Sequence, residues 1–199
     1  MTQPLVLASS SPFRRLLMQN AGLDFVAQAA SIDERAIEAK LAAQSATPET
    51  VALELAKAKA LDVSTRFPGA FVIGSDQTMS LANRVYHKPA SLQEARENLL
   101  SLSGKTYHLN SGVAIVRDGE LVWETVAKAA MTVRPLSEDF IDRYLASVGD
   151  AVMSSVGAYQ LEGEGIRLFD SIDGDYFTIL GLPMLPLLKA LREFGAVND

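Results

Sequence analysis

Ser9-Ser10-Ser11-Pro12 followed by Arg14-Arg15 is the first stretch of the chain whose residue types and spacing could do chemistry. A short apolar run at 5–8 delivers these serines to a helical pattern, with Ser11 at the N-cap and Pro12 at the first helical position. Hydroxyls and backbone N–H groups then converge on the positive end of a helix, which is a ready anion site. Arg14 and Arg15 run against the preference for acidic residues there, a local cost that a bound polyphosphate would offset. Read alone, they fit a solvated basic face equally well. Asp76 follows the apolar run Phe71-Val72-Ile73-Gly74 and Ser75. A carboxylate delivered at the end of a buried strand is partly desolvated and calls for a partner such as Mg²⁺. Lys88, just before Pro89, supplies a cation for phosphate, and Glu34 a second oxygen ligand. Each has a bland capping or surface reading in isolation. Taken together, they suit metal-assisted attack of water on a phosphoric anhydride.

The composition excludes several other chemistries. The 199 residues carry 18 Lys+Arg against 24 Asp+Glu, a formal charge of -6, 48% hydrophobic residues and no cysteine. So much apolar material in one chain of this length predicts a folded domain, or two small lobes sharing a core. Without cysteine, and with His87 and His108 as the only histidines, disulfides, thiolate catalysis and Cys/His zinc sites are ruled out. The acidic balance argues against a nucleic-acid partner, which needs a basic face. Residues 1–7 lack a basic stretch, a long apolar core and a cleavage site, and no run approaches a membrane span. The cytoplasm is the expected compartment, with no membrane partner.

The elements that must position these residues follow from periodicity and punctuation. A strand is expected at 25–27 and a helix near 36–44. Thr47-Pro48-Glu49 opens a longer helix in which Leu53, Ala56, Ala60 and Val63 recur at helical spacing. Residues 71–74 read as a buried strand that delivers Ser75-Asp76-Gln77 at its end. Residues 79–81 and 84–86 read as a hairpin turning at Ala82-Asn83. Ser91 and Glu94 form a capping box for a helix ending near Gly104. Asp118-Gly119, flanked by strands at 106–116 and 120–133, signals a long hairpin with a type I′ turn. Ser137 caps a helix to about Ala146. Leu182-Pro183 opens the last helix, with Leu185, Leu188 and Leu191 as its buried stripe and Gly195 as its stop. Ser103-Gly104-Lys105-Thr106 resembles the tail of a phosphate-binding loop, but Leu99 stands where the leading glycine is needed and a helix precedes it. It reads as a helix stop and a strand start. Helices interleaved with strands and a long hairpin give an α/β or mixed α+β architecture with a mixed sheet.

The run Leu7-Ala8-Ser9-Ser10-Ser11-Pro12-Phe13-Arg14-Arg15, then Asp33-Glu34, 55–60, Gly74-Ser75-Asp76-Gln77, Lys88-Pro89, 102–106, Gly157-Ala158-Tyr159 and Gly181-Leu182-Pro183, resembles the Maf family of nucleoside triphosphate pyrophosphatases. The match runs in order along nearly the whole chain. The resemblance implies a Maf/ITPase-like fold over 1–199: one domain of two lobes around a cleft, with an elongated, twisted mixed sheet flanked by helices. It implies hydrolysis of a nucleoside triphosphate between the α and β phosphates with a divalent cation (Mg²⁺, Mn²⁺ or Co²⁺), in a protein that is often a homodimer. Carried over residue by residue, Asp76 is the general base or metal carboxylate and Glu34 assists the metal. Ser9, Arg14, Lys59 and Lys88 handle phosphate. Helical periodicity alone would leave Lys59 an ordinary exposed lysine.

Departures from the commonest family pattern point to the substrate. Phe13 stands where the first of two arginines is usual, Gln77 where threonine is commoner, and Glu162 where glutamine usually precedes glycine. The same aromatic substitution marks the subgroup resembling 7-methyl-GTP pyrophosphatases. An aromatic face can stack on the cationic ring of N7-methylguanine, and a carboxylate can accept from guanine N1–H and its exocyclic amine. Ser154-Ser155 replace an Asp-Lys pair of the pattern, which removes the family's lysine there. A dTTP/UTP pyrophosphatase is the alternative within the family. A non-catalytic nucleotide-binding regulator of cell division is the alternative of another class.

Overall fold

In the computed structural model, which describes residues 4–82 and 84–197, seven strands and seven α-helices form along the chain. They are β1 (Leu5–Ala8), α1 (Pro12–Asn20), β2 (Phe25–Ala27), α2 (Glu34–Ala43), α3 (Pro48–Ser64), β3 (Phe71–Leu81), β4 (Arg84–Tyr86), α4 (Leu92–Leu102), β5 (Thr106–Arg117), β6 (Glu120–Val133), α5 (Glu138–Val148), β7 (Phe169–Asp173), α6 (Tyr176–Ile179) and α7 (Met184–Glu193). Short 3₁₀ turns occupy Gly149–Ser154 and Glu164–Leu168. The sheet is mixed, in the order β2-β1-β3-β5-β6-β7, with β4 paired on β3. β1 is parallel to both β2 and β3, whereas β4 and β7 pair antiparallel.

Contacts divide the chain into two compact units. The first comprises Met1–Gln77, Asn110–Lys128 and Asp175–Asp199, and the second Thr78–Leu109 and Ala129–Gly174. In the first unit, the alternation of strand side chains sorts the core by face. Leu5, Leu7, Phe71 and Ile73 pack with Leu17 and Met18 of α1 and with Met184, Leu187 and Leu191 of α7. Val6, Ala8 and Val72 pack with Ala60 and Val63 of α3. In the second unit, Arg96 of α4 is ion-paired with Glu138 and Asp142 of α5. The buried Tyr107 hydroxyl donates to that of Tyr159.

Most helix boundaries obey the expected caps. Ser11, Thr47, Ser91 and Ser137 each accept an N–H of the first helical turn, and Asp33 does the same for α2, which begins at Glu34 rather than near 36. The Glu94 carboxylate accepts from Ala90 N–H, one residue outside the expected box. Asp118 and Gly119 have φ values of 51° and 81°, the double positive φ that a type I′ hairpin requires. Asn83 of the 82–83 turn and residues 1–3 lie outside the described residues.

The structure corrects several sequence readings. Residues 71–74 and 79–81 belong to one eleven-residue strand, because the polar stretch between them is satisfied by side-chain and helix partners. Leu185 is 66% exposed, and Met184, Leu187 and Leu191 form the buried stripe of α7. Pro183 sits at the N-cap of α7 instead of at its first helical position. On α3 the buried stripe is Ala52, Leu55, Ala56, Lys59, Ala60 and Val63, and Leu53 lies beside it. Ser103-Gly104-Lys105 stops α4 with φ +68° at Gly104 and leads into β5, as a helix stop should.

Candidate active site

β1 pairs with β3 only as far as Ala8 opposite Gly74. β3 runs on past this point, so Ser75, Asp76 and Gln77 stand beyond the end of their parallel neighbour. A carboxylate there behaves as one at a strand end, although its own strand continues. Alternation sends Gly74 and Asp76 toward α3, and Ser75 and Gln77 toward the opposite face.

The approach of α3 depends on small residues. Ala52, Ala56 and Ala60, spaced one turn apart, are fully buried, and their helix backbone lies against Gly74 and Gly112. Lys59 shares this stripe and is only 9% exposed. Its ammonium donates to Asp76 Oδ1 at 2.6 Å and lies 3.1 Å from Glu34 Oε1 at the start of α2. Burial raises the Asp76 carboxyl above its ordinary range; Lys59 and Arg14 pull it back down, and Glu34 pushes it up. The result is a partly buried carboxylate with raised basicity, held by hydrogen bonding at one oxygen.

The serine-rich corner is built from its own polar groups. Ser9 Oγ accepts the Ser11 N–H at 3.1 Å, and Ser11 Oγ accepts the Arg14 N–H at 3.4 Å. Arg14 turns inward: Nε donates to the Gly181 carbonyl at 2.8 Å, and Nη1 to the Ser75 carbonyl at 2.9 Å and Ser9 Oγ at 3.4 Å. Burial lowers its pKa, while Asp76 and Glu34 oppose the change. The unfavourable place of an arginine at a helix start is thus offset by carbonyl oxygens within the chain. Arg15 instead is exposed and lines an open cavity of about 330 Å³ with Gln19, Leu23 and Phe25.

The first unit therefore brings Ser9, Arg14, Glu34, Lys59 and Asp76 together, and Gln77 lies on the far face of β3 from Asp76. Phe13 is partly buried at the second position of α1. Lys88 and Glu162 are exposed and belong to the second unit, Lys88 between β4 and α4 and Glu162 just before a 3₁₀ turn. Ser75 and Ser111, which sequence reasoning gave no role, are fully buried and hydrogen-bonded beside the site. A lysine in the middle of an apolar i, i+3, i+4 stripe is the signal that could have found Lys59.

The Maf-like protein family matches residues 4–194. A 7-methyl-GTP pyrophosphatase of Rhizobium johnstonii is 64% identical over 198 residues, covering all of both chains. A relative of the same name from Mesorhizobium japonicum is 56% identical over 198 residues, again covering all of both. A nucleoside triphosphate pyrophosphatase of Nitrobacter winogradskyi is 53% identical over 192 residues, 96% of this chain and 94% of its own. With the family matched almost end to end and full-length relatives more than half identical, the chain belongs to the Maf-like protein family.

Proposed function

We propose that this protein is a nucleoside triphosphate pyrophosphatase that hydrolyses the α–β phosphoanhydride of 7-methyl-GTP to the monophosphate and pyrophosphate. The observation that carries the reading is the partly buried Asp76 carboxylate paired with Lys59, with Glu34 on the same ammonium. The names of the full-length relatives supply the substrate.

Asp76 accepts a proton from water as the water oxygen bonds to a phosphorus of the α–β linkage. The bond from that phosphorus to the bridging oxygen breaks, and the bridging oxygen leaves with the electron pair. A carboxyl whose pKa is raised by burial is a stronger base than an ordinary aspartate, and positioned general bases contribute about 10²–10⁴-fold. Lys59 keeps Asp76 ionised and offers the remaining hydrogens of its ammonium to phosphate oxygens. Ser9 and Arg14 hold the start of α1 against β3, and Lys88 is the further phosphate cation.

Asp76 and Glu34 fit a divalent cation. Their carboxylates converge on one ammonium, and Mg²⁺ is commonly held by one or two carboxylates together with substrate phosphates and water. Among the described residues no cluster of three His, Cys, Asp or Glu side chains that could hold a metal ion is present. Bound there, the cation would polarise the phosphoryl oxygens and neutralise developing charge.

Phe13 stacks on the methylated base, an interaction worth about 1–3 kcal/mol by nucleic-acid analogy, and Glu162 accepts from the guanine edge. The enzyme works in the cytoplasm as a homodimer. Among the described residues no helix is long and apolar enough to cross a membrane.

A nucleotide panel with pyrophosphate detection tests the reading, with turnover of 7-methyl-GTP exceeding that of GTP, UTP and dTTP and ceasing on chelation. Preference for UTP and dTTP assigns the other family activity. Unchanged turnover in Asp76→Asn refutes the role given to that carboxylate. Binding of nucleotides without any turnover marks a non-catalytic regulator.

A further inference from the structure

The short helix α6 ends in a Schellman motif. Gly181 N–H donates to the Thr178 carbonyl at 3.1 Å and Leu182 N–H to that of Phe177 at 3.0 Å, with Gly181 in the left-handed region at φ +90°. Side chains of β3 and β5 clamp this 178–181 turn. Gln77 Nε2 lies 2.9 Å from the Thr178 carbonyl oxygen and 3.2 Å from that of Ile179, Ser111 Oγ lies 2.8 Å from the Thr178 oxygen, and Ser75 Oγ lies 2.8 Å from that of Gly181. The Gly181 oxygen, fixed in this way, accepts from Arg14 Nε at 2.8 Å.

A cap alone asks only for a positive φ. Gly195 ends α7 by the same motif, at φ +64° and with both capping bonds at 2.9 Å, and a Cβ added there would meet nothing within 4 Å. At Gly181 an added Cβ would lie 3.2 Å from Arg14 Nη2, 3.3 Å from Nε and 3.7 Å from Cζ. Closer to both nitrogens than to the carbon between them, it would press on the edge of the guanidinium. That group carries five N–H hydrogens. Nε spends one on Gly181, and Nη1 spends its own on the Ser75 carbonyl and Ser9 Oγ. Among the described residues no acceptor stands within hydrogen-bonding distance of Nη2, and Arg14 is partly exposed.

We propose that Gly181 is a positioning residue for Arg14: its carbonyl aims the guanidinium through Nε, and its missing side chain leaves the Nη2 hydrogens clear for a phosphate oxygen of the substrate. The inference rests on the function proposed above.

Calorimetric titration with inorganic tripolyphosphate, a phosphate chain without a base, tests it on wild type, Gly181→Ala, Gly195→Ala, Arg14→Met and the Gly181→Ala/Arg14→Met double variant. Thermal midpoints, and kcat and KM for 7-methyl-GTP, are read alongside. Gly181→Ala should weaken tripolyphosphate binding roughly tenfold, as disturbing a charged hydrogen bond does, and raise KM more than it lowers kcat. Gly195→Ala carries the same kind of backbone strain with open space around the methyl, so it should lower the midpoint and leave the dissociation constant and KM in place. In the Arg14→Met background Gly181→Ala should add no further loss of binding, as coupled neighbours do. Gly181→Asn, which tolerates positive φ but keeps the Cβ, is the second substitution if Gly181→Ala does not fold. An affinity unmoved by the Gly181 substitutions, or lowered as much by Gly195→Ala, overturns the proposal in favour of a helix cap alone. An equal loss from Gly181→Ala with and without Arg14 overturns it as well, as does a wild type that does not bind tripolyphosphate. A wild type that binds tripolyphosphate yet hydrolyses no nucleotide refutes the enzymatic function instead, and the dissociation constants still decide the role of Gly181.

Discussion

Gly74 lies where α3 crosses β3, and its missing side chain sets how closely helix and strand approach. A Cβ at this position would come 2.0 Å from the Ala56 carbonyl oxygen, 2.8 Å from the Ala60 nitrogen and 2.9 Å from the Ala60 Cβ. The first two are backbone atoms, so no rotamer change relieves the clash. Ordinary contact begins at 3.4 Å, and α3 must therefore retreat by about 1.4 Å in Gly74→Ala. Lys59 precedes Ala60 and moves with it, stretching the 2.6 Å bond to Asp76 to about 4 Å, beyond hydrogen-bonding range. Overpacking of this kind costs about 1–3 kcal/mol. At roughly 2–4 °C per kcal/mol for a chain of this size, the midpoint should fall by several degrees. Misplacement of a catalytic group by about 1 Å costs on the order of 100-fold in rate. Calorimetry and kcat/KM on the folded variant read the two effects separately. Gly112→Ala is the matched control: its Cβ would meet the Ala52 backbone at 2.6 Å, about two turns from Lys59, and should cost similar stability with a smaller rate loss. A Gly74→Ala enzyme with the lowered midpoint but wild-type kcat/KM would refute the idea that the approach of α3 sets the Lys59–Asp76 pair.

Four further outcomes follow from the site's electrostatics and geometry. Burial raises the Asp76 pKa, so single-turnover rates should fall as pH drops through a limb lying above the ordinary aspartate value of 3.8, and Asp76→Asn should remove that limb together with about 10²–10⁴ of the rate. The same raised folded-state value means that this group binds its proton more tightly in the folded chain, so it lowers stability as pH rises through that window, which proton uptake on folding would register. Lys59→Met removes an influence that holds the Asp76 pKa down, so whatever activity remains should show its acid limb at higher pH; a limb that moves to lower pH contradicts the pairing. Arg14→Lys replaces a planar fork by a point charge that cannot serve Gly181, Ser75 and Ser9 at once, and denaturant unfolding should show a loss of about 2 kcal/mol.

The local punctuation of the chain was legible because caps and turns are short-range chemistry. Ser11, Thr47, Ser91, Ser137 and the Asp118-Gly119 turn act through atoms a few residues away, and the sequence displays them in full. Asp76 was also legible, as an acid following an apolar run. What the sequence hid is what depends on distant partners. Ser75-Asp76-Gln77-Thr78 looks like the end of a strand because its polar groups seem to need water. The strand continues because Lys59, Gly112, Thr178 and Gly181 take the place of that water. Lys59 looks like a surface lysine until Ala52, Ala56 and Ala60 are seen to lie flat on two glycines, which turns that face of α3 toward the sheet. Arg14 reads as a phosphate clamp by its place at a helix start, and its Nε and Nη1 also reach carbonyl oxygens far away in sequence. What was hidden in these three cases has one cause. A polar residue is assigned to solvent or ligand when its partner lies far away in sequence, and here those partners make β3 a strand whose two faces are committed to different tasks. Asp76 and α3 occupy one face, and the clamp on the 178–181 turn occupies the other. Substitutions of Gln77 or Ser111, which are not among the groups that shift the Asp76 carboxyl, should therefore leave its basicity in place, while substitution of Lys59 on the α3 face should change it.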